Sequence, residues 1–233
     1  MIPLRDDAPR WTFPGVTLAL IGVNVLVFLF QMSLYTRYGP EGEQAFVMSF
    51  GAVPARVSAA LTGRASLEAG LIPIFTSMFL HGGWMHLLGN MWFLWIFGDN
   101  IEDDLGHGQY LAFYLGCGVL ASLAHYLSNP LSTLPSVGAS GAISGVMGAY
   151  VVRFPRARIT TLIPILVVFT TVELPAAVML LYWFAIQFLS GATTVSEGAG
   201  VAWWAHIGGF VAGALLILTR PRRRPRVLRR SYY

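Results

Sequence analysis

The sequence predicts an all-α membrane protein, a bundle of six transmembrane helices with its N- and C-termini cytoplasmic. Three observations predict it. The 233 residues are 55% hydrophobic and only 11% charged, against about 25% charged in soluble domains. Mean hydropathy is +0.63. Several apolar stretches approach the roughly 20 residues that cross a bilayer.

The first span is expected at Val16–Leu34, after an N-terminal tail over residues 1–14. It is longer than a signal-peptide core and has no small-residue cleavage pattern behind it. A long mixed segment, about Tyr35 to Ile72, carries Arg37, Arg56, Arg64, Glu41, Glu43 and Glu68; it reads as a surface loop. The second span is about Leu80–Phe97, followed by an acidic turn, Asp99 to Asp104. The third is about Tyr110–Leu127, ending at the turn residues Asn129-Pro130. The fourth, Ser140–Val152, is short and glycine-rich, and Arg153, Arg156 and Arg158 end it. Pro175 suits the first turn of a fifth span, Pro175–Leu189, with Glu173 as a favourable anion at its N-terminus. Ile159–Val172 is then expected to lie at the cytoplasmic interface. The sixth span is about Val201–Leu218. The six spans and their loops make one domain, residues 15–219, and a tail follows over 220–233.

Every basic residue is arginine, and seven of the fifteen lie between Arg220 and Arg230. That tail and the Arg153–Arg158 cluster sit two spans apart, which places both inside by the positive-inside rule. A pI near 9.5 therefore reflects a cytoplasmic anchor in contact with membrane lipids, and does not point to nucleic acid. The single cysteine, Cys117, excludes an internal disulfide. Residues 1–14 have no Arg-rich amphipathic pattern, so a prokaryotic plasma membrane is expected.

Polar side chains inside the spans carry the functional reading. On this topology His81, His86 and Asn90 lie in the outer half of the second span, Ser140 starts the fourth, and His206 is near the start of the sixth. His86 and Asn90 share a helix face. His206, Gly209 and Gly213 share another, and Gly141, Gly145 and Gly148 let the fourth helix approach it closely. A serine hydroxyl needs an adjacent base to become nucleophilic, and imidazole titrates near neutral pH. Ser140 and His206 are thus the candidate nucleophile and general base. The Ser140 backbone N–H at a helix N-terminus, with the His86 and Asn90 side chains, are candidate oxyanion donors. No carboxylate falls in the outer half of a span, so a dyad is expected, with neither cofactor nor metal. His81 is expected to shape the site's rim. A bland reading makes Ser140 a helix cap and the others interhelical glue. The competing function is a polar-lined channel or transporter. Against it, the second span below Asn90 and the sixth below Gly213 turn wholly apolar.

Gly138-Ala139-Ser140-Gly141 resembles the GxSG motif of rhomboid proteases. His81 to Asn90 resembles their second helix, and Ala205-His206 to Gly213 their sixth. The resemblance covers about Val16 to Thr219. It implies a serine endopeptidase that cleaves single-pass membrane proteins in or near their transmembrane segments. It implies Ser140 and His206 as the dyad, and His86 and Asn90 as oxyanion donors. It further implies that the fifth helix and the Gly191–Gly200 loop gate the site. Some members have a tyrosine four residues after the serine that packs on the histidine; Ser144 stands there. Others have Trp-Arg in the first loop where this chain has Ile72-Pro73. Oligomeric state stays open at this level.

Overall fold

The computed structural model describes residues 2–165, 168–193 and 202–222. Among these the chain forms eight α-helices and three strands. Strand β1 is Ile2–Asp6. Helix α1 runs Gly15–Phe50, α2 Pro54–Leu61, α3 Leu67–Thr76, α4 Trp84–Leu105, α5 His107–Ser128 and α6 Ser140–Arg153. Strands β2 (Arg158–Ile165) and β3 (Val168–Pro175) lead into α7, Ala176–Thr193, and α8 is Trp203–Leu218.

Helices α1, α4, α5, α6, α7 and α8 fall where the six spans were expected. α1 and α5 are long and apolar enough to cross a membrane singly. α3 and α4 pass the same test as a pair bent by 77°, and α7 and α8 are shorter apolar helices. Helix α6 is the hub: it packs against α4, α5, α7 and α8, and every residue from Gly141 to Tyr150 is buried.

The segment expected to be a surface loop is mostly helical. α1 continues past Leu34 to Phe50 through a break at Gly39, whose φ of 71° takes it out of the helix just before Pro40. α2 and α3 then pack on each other and on α5. Their apolar patches are too short to span, so the sequence showed no span there and the helices went unread.

The mostly helical bundle fits the expected all-α class, and one small three-stranded sheet is added to it. Ile159–Val172 belongs to an antiparallel hairpin, β2 to β3, and β1 pairs with the other edge of β2. Its Thr160-Thr161 and Thr170-Thr171-Val172 runs are β-branched, a composition that suits a pleated surface. Glu173 lies on β3 and pairs with Arg158 across the strands at 3.3 Å, not at a helix terminus. The first 14 residues are likewise no free tail.

The expected acidic turn is helical, the last part of α4, and its side chains tie down other elements. Glu102 is fully buried. It accepts from Val16 N at 2.9 Å, from Thr17 N at 2.7 Å and from Thr17 Oγ1 at 2.7 Å, filling the first-turn donors of α1. His107 Nδ1 lies 2.5 Å from Glu102 Oε1, the oxygen that also accepts from Val16 N. Asp104 pairs with Arg153 at 2.8 Å, and Arg153 also donates to the Ile217 and Arg220 carbonyls at the end of α8. Asp103 accepts from Trp11 N and Thr12 N in an exposed position. Glu102→Ala should destabilise the fold by about 3 kcal/mol, because buried donors lose an ionised acceptor. Asp103→Ala should cost under about 1 kcal/mol, since its bonds are solvent-exposed. Denaturation of the purified variants in detergent checks the contrast; equal losses would refute it.

Candidate active site

Glycines set the distance between α6 and α8. A Cβ at Gly209 would overlap the Gly141 carbonyl, one at Gly213 the Gly145 carbonyl, and one at Gly148 the Phe210 carbonyl. The two backbones therefore touch along three turns, the close approach that small residues permit between membrane helices. At the open end of this seam Ser140 Oγ lies 2.8 Å from His206 Nε2. The Ser144 hydroxyl, one turn on, bonds back to the Ser140 carbonyl at 2.6 Å.

The second ring nitrogen of His206 also has a partner. Nδ1 lies 2.7 Å from Gln187 Oε1 on α7. An amide oxygen only accepts, so Nδ1 carries the proton in neutral imidazole and Nε2 is left as the acceptor for the serine hydroxyl. Trp183, one turn before Gln187, packs its ring 5.9 Å from the His206 ring, and Trp203 approaches edge-on at 6.3 Å. The aromatic packing that a tyrosine at position 144 would supply comes here from α7 and α8. Trp203 lies at the site, whereas Trp84 and Trp204 are exposed.

α4 supplies the opposite wall. Gly82 N donates to His86 Nδ1 at 3.3 Å, so the neutral ring carries its proton on Nε2. That atom reaches Gly138, whose φ is +123° and whose missing Cβ would sit 2.7 Å from His86 Nε2 and 3.5 Å from Asn90 Nδ2. Only glycine combines that backbone with that space. Asn90 Nδ2 is buried without a hydrogen-bond partner in the described structure. Two N–H groups thus converge beside Gly138, close to the first turn of α6, whose own backbone N–H groups have no helical acceptor.

His81 is fully buried. Its backbone N–H donates to Gln31 Oε1 and its carbonyl accepts from Gln31 Nε2, both at 3.1 Å. Its ring lies edge-on to His86 at 5.2 Å, so it stands behind His86 and not at the rim.

A cavity of about 560 Å³ joins these groups; its lining includes His86, Asn90, Gly138, Ser140, Gln187 and His206. Phe93, Ile143 and Met147 also line it. Farther in along α4, α6 and α8, Phe97, Tyr150, Ile101 and Ile217 are buried and fill the bundle. No three His, Cys, Asp or Glu side chains form a metal-ligand set among the described residues.

Sequence reasoning missed Gln187 and Trp183. Their signal was available: an amide and an indole four residues apart in an otherwise apolar span. The Gly191–Gly200 cap falls mostly outside the described residues, which stop at Thr193 and resume at Ala202.

The family model described as the Rhomboid domain matches residues 68–223. The chain belongs to the rhomboid family. The human presenilin-associated rhomboid-like protein, mitochondrial, is 30% identical over 150 residues, 60% of this chain and 36% of the relative. Rhomboid protein 1, mitochondrial, of Saccharomyces cerevisiae (strain ATCC 204508 / S288c) is 30% identical over 227 residues, 91% of this chain and 56% of the relative. The provisionally named rhomboid protease YdcA of Bacillus subtilis (strain 168) is 38% identical over 77 residues, 33% of this chain and 38% of that protein. The chain thus spans between about a third and just over half of these relatives. It is a mostly helical membrane protein of a family that includes proteases. Two of the three relatives are mitochondrial by name, so they do not support the expected prokaryotic plasma membrane.

Gly213→Val should push α8 away from α6 and cost at least about 2 kcal/mol, since overpacking a tight core forces backbone shifts. Thermal denaturation measures it. A variant as stable as the parent would show that the seam is slack.

Proposed function

We propose that this rhomboid is an intramembrane serine endopeptidase that cuts single-pass membrane proteins in or near their transmembrane segments. The observation that carries the reading is the 2.8 Å approach of Ser140 Oγ to His206 Nε2 from two different helices, inside a cavity that also holds the unpartnered Asn90 amide. A helix cap or interhelical glue explains neither the convergence nor the open volume.

His206 Nε2 takes the hydroxyl proton as Ser140 Oγ attacks the scissile carbonyl carbon. The carbonyl oxygen becomes an oxyanion facing His86 Nε2–H, Asn90 Nδ2–H and the Ser140 backbone N–H. The C–N bond then breaks, and the imidazolium gives its proton to the departing amine. Water, deprotonated by His206, attacks the acyl-enzyme. The second tetrahedral species collapses, releases the new carboxyl terminus and returns the proton to Ser140.

Membrane placement supports a lipid-embedded substrate. α6 has 14 residues, a rise of about 21 Å against a hydrocarbon core of about 30 Å. A helix that ends at Arg153 near the inner surface therefore begins well below the outer one. On the proposed topology of six spans with both termini cytoplasmic, the cavity opens toward the outer leaflet, and the exposed apolar residues of α1, α4 and α7 face lipid. For a channel the polar lining would have to continue inward, where apolar side chains pack instead.

Purified enzyme incubated with a single-pass membrane substrate tests the reading. Ser140→Ala should abolish cleavage at unchanged thermal stability; undiminished cleavage by that variant would end the protease assignment. His86→Ala and Asn90→Ala should each lower kcat by about ten- to a thousandfold as one oxyanion donor is lost. Unchanged rates in both would remove that role.

A further inference from the structure

We propose that Gln187 is the positioning residue of the dyad, an acceptor on α7 that holds His206 in the tautomer able to take the serine proton. The proposal rests on the protease reading above and adds a third member to its machinery.

Three observations carry it. First, the bond is short and buried: Gln187 is 7% exposed, and its Oε1 lies 2.7 Å from His206 Nδ1. Second, the two bonds of the ring have opposite sense. Ser140 Oγ–H needs a lone pair on Nε2, which in neutral imidazole requires the proton on Nδ1 and an acceptor facing it. The Gln187 carbonyl oxygen is that acceptor. Third, the contact follows from helix phase. Among the described residues of α7, Ala176, Met179, Leu180 and Gln187 are buried, with Trp183 on the same stripe. The stripe lays the Trp183 ring along one side of His206 and the Gln187 amide at its Nδ1.

A neutral amide is a physically sensible choice there. Serine hydrolases commonly orient their histidine with a carboxylate, but an ionised carboxylate is expensive inside a membrane. An amide oxygen fixes the tautomer without a buried charge, and gives up the stabilisation that an anion would lend the imidazolium. Because α7 follows directly from β3 and brings both Gln187 and Trp183, a displacement of α7 would release the base as well as open the wall of the cavity.

The test compares Gln187→Leu and Gln187→Glu with the parent in full-length enzyme, with Ser140→Ala as the control for real proteolysis. Gln187→Leu keeps the bulk and removes the acceptor. It should lower kcat about ten- to a hundredfold through loss of the productive tautomer, with KM within about threefold and thermal stability unchanged. Gln187→Glu restores an acceptor, so kcat should return to within about threefold of the parent. The acid limb of its kcat–pH profile should move to higher pH, because a carboxylate favours the imidazolium. His86 and His125, the other titratable groups that act on His206, are unchanged in both variants. In the parent, 15N-histidine NMR should show His206 protonated at Nδ1 and bare at Nε2. That measurement stands even if a variant fails to fold. Parental kcat in Gln187→Leu, equal losses in Leu and Glu variants of normal stability, or protonation at Nε2 would each overturn the proposal. If Ser140→Ala still cuts, the protease reading falls instead.

Discussion

Backbone contact between α6 and α8 is the constraint on which the rest of the structure depends. Ser140 and His206 are short side chains on separate helices, and they can share a proton only if their helix axes are unusually close. The Gly141, Gly145 and Gly148 face meets Gly209, Phe210 and Gly213 with carbonyls lying where β-carbons would otherwise be. In a lipid environment, where apolar side chains gain little by leaving the solvent, such close packing is a principal source of helix association. The seam is therefore both a stabilising feature and the device that sets the dyad distance.

A second set of restraints holds the opposite end of the bundle. Charge is concentrated there in pairs: Glu102 closes the start of α1, and Asp104 with Arg153 joins α4, α6 and the end of α8. The N-terminal segment is drawn into the same region, through β1 pairing with β2 and through the Tyr150 hydroxyl, which donates to Asp6. One end of the molecule is thus tied by polar contacts while the other keeps an open cavity. That division suits the proposed protease site, which would have to admit a substrate without losing its geometry.

α7 packs more lightly on the bundle than α6 and α8 pack on each other. It packs on α8 and α6 yet carries two groups that define the state of His206, the Trp183 ring and the Gln187 amide. The rigid pair α6–α8 sets how far the hydroxyl is from the imidazole. In the proposed mechanism the more peripheral α7 sets which imidazole nitrogen is free to act. Distance and protonation are separate requirements of the same bond, and different helices meet them.

Much of this was legible in the sequence because a membrane imposes simple rules. Apolar length located the helices now called α1, α4, α5, α6, α7 and α8, and polar residues stranded inside those runs pointed to Ser140, His206, His86 and Asn90. Glycine spacing marked the face where α6 meets α8. Other features were hidden for physical reasons. The helices of the first loop are too short to register as spans. The β2–β3 hairpin is apolar enough to pass for a segment lying at the membrane interface, and the strand that pairs its other edge, β1, comes from the far end of the sequence. Gln187 is ordinary as a lone amide and becomes informative only once its oxygen is seen at His206 Nδ1. The sequence by itself determined which segments leave water and which residue types they carry, because solvation depends on local composition. Only the tertiary structure decided which polar atoms meet and in which hydrogen-bonding sense, because that depends on the rotation of each helix against its neighbours.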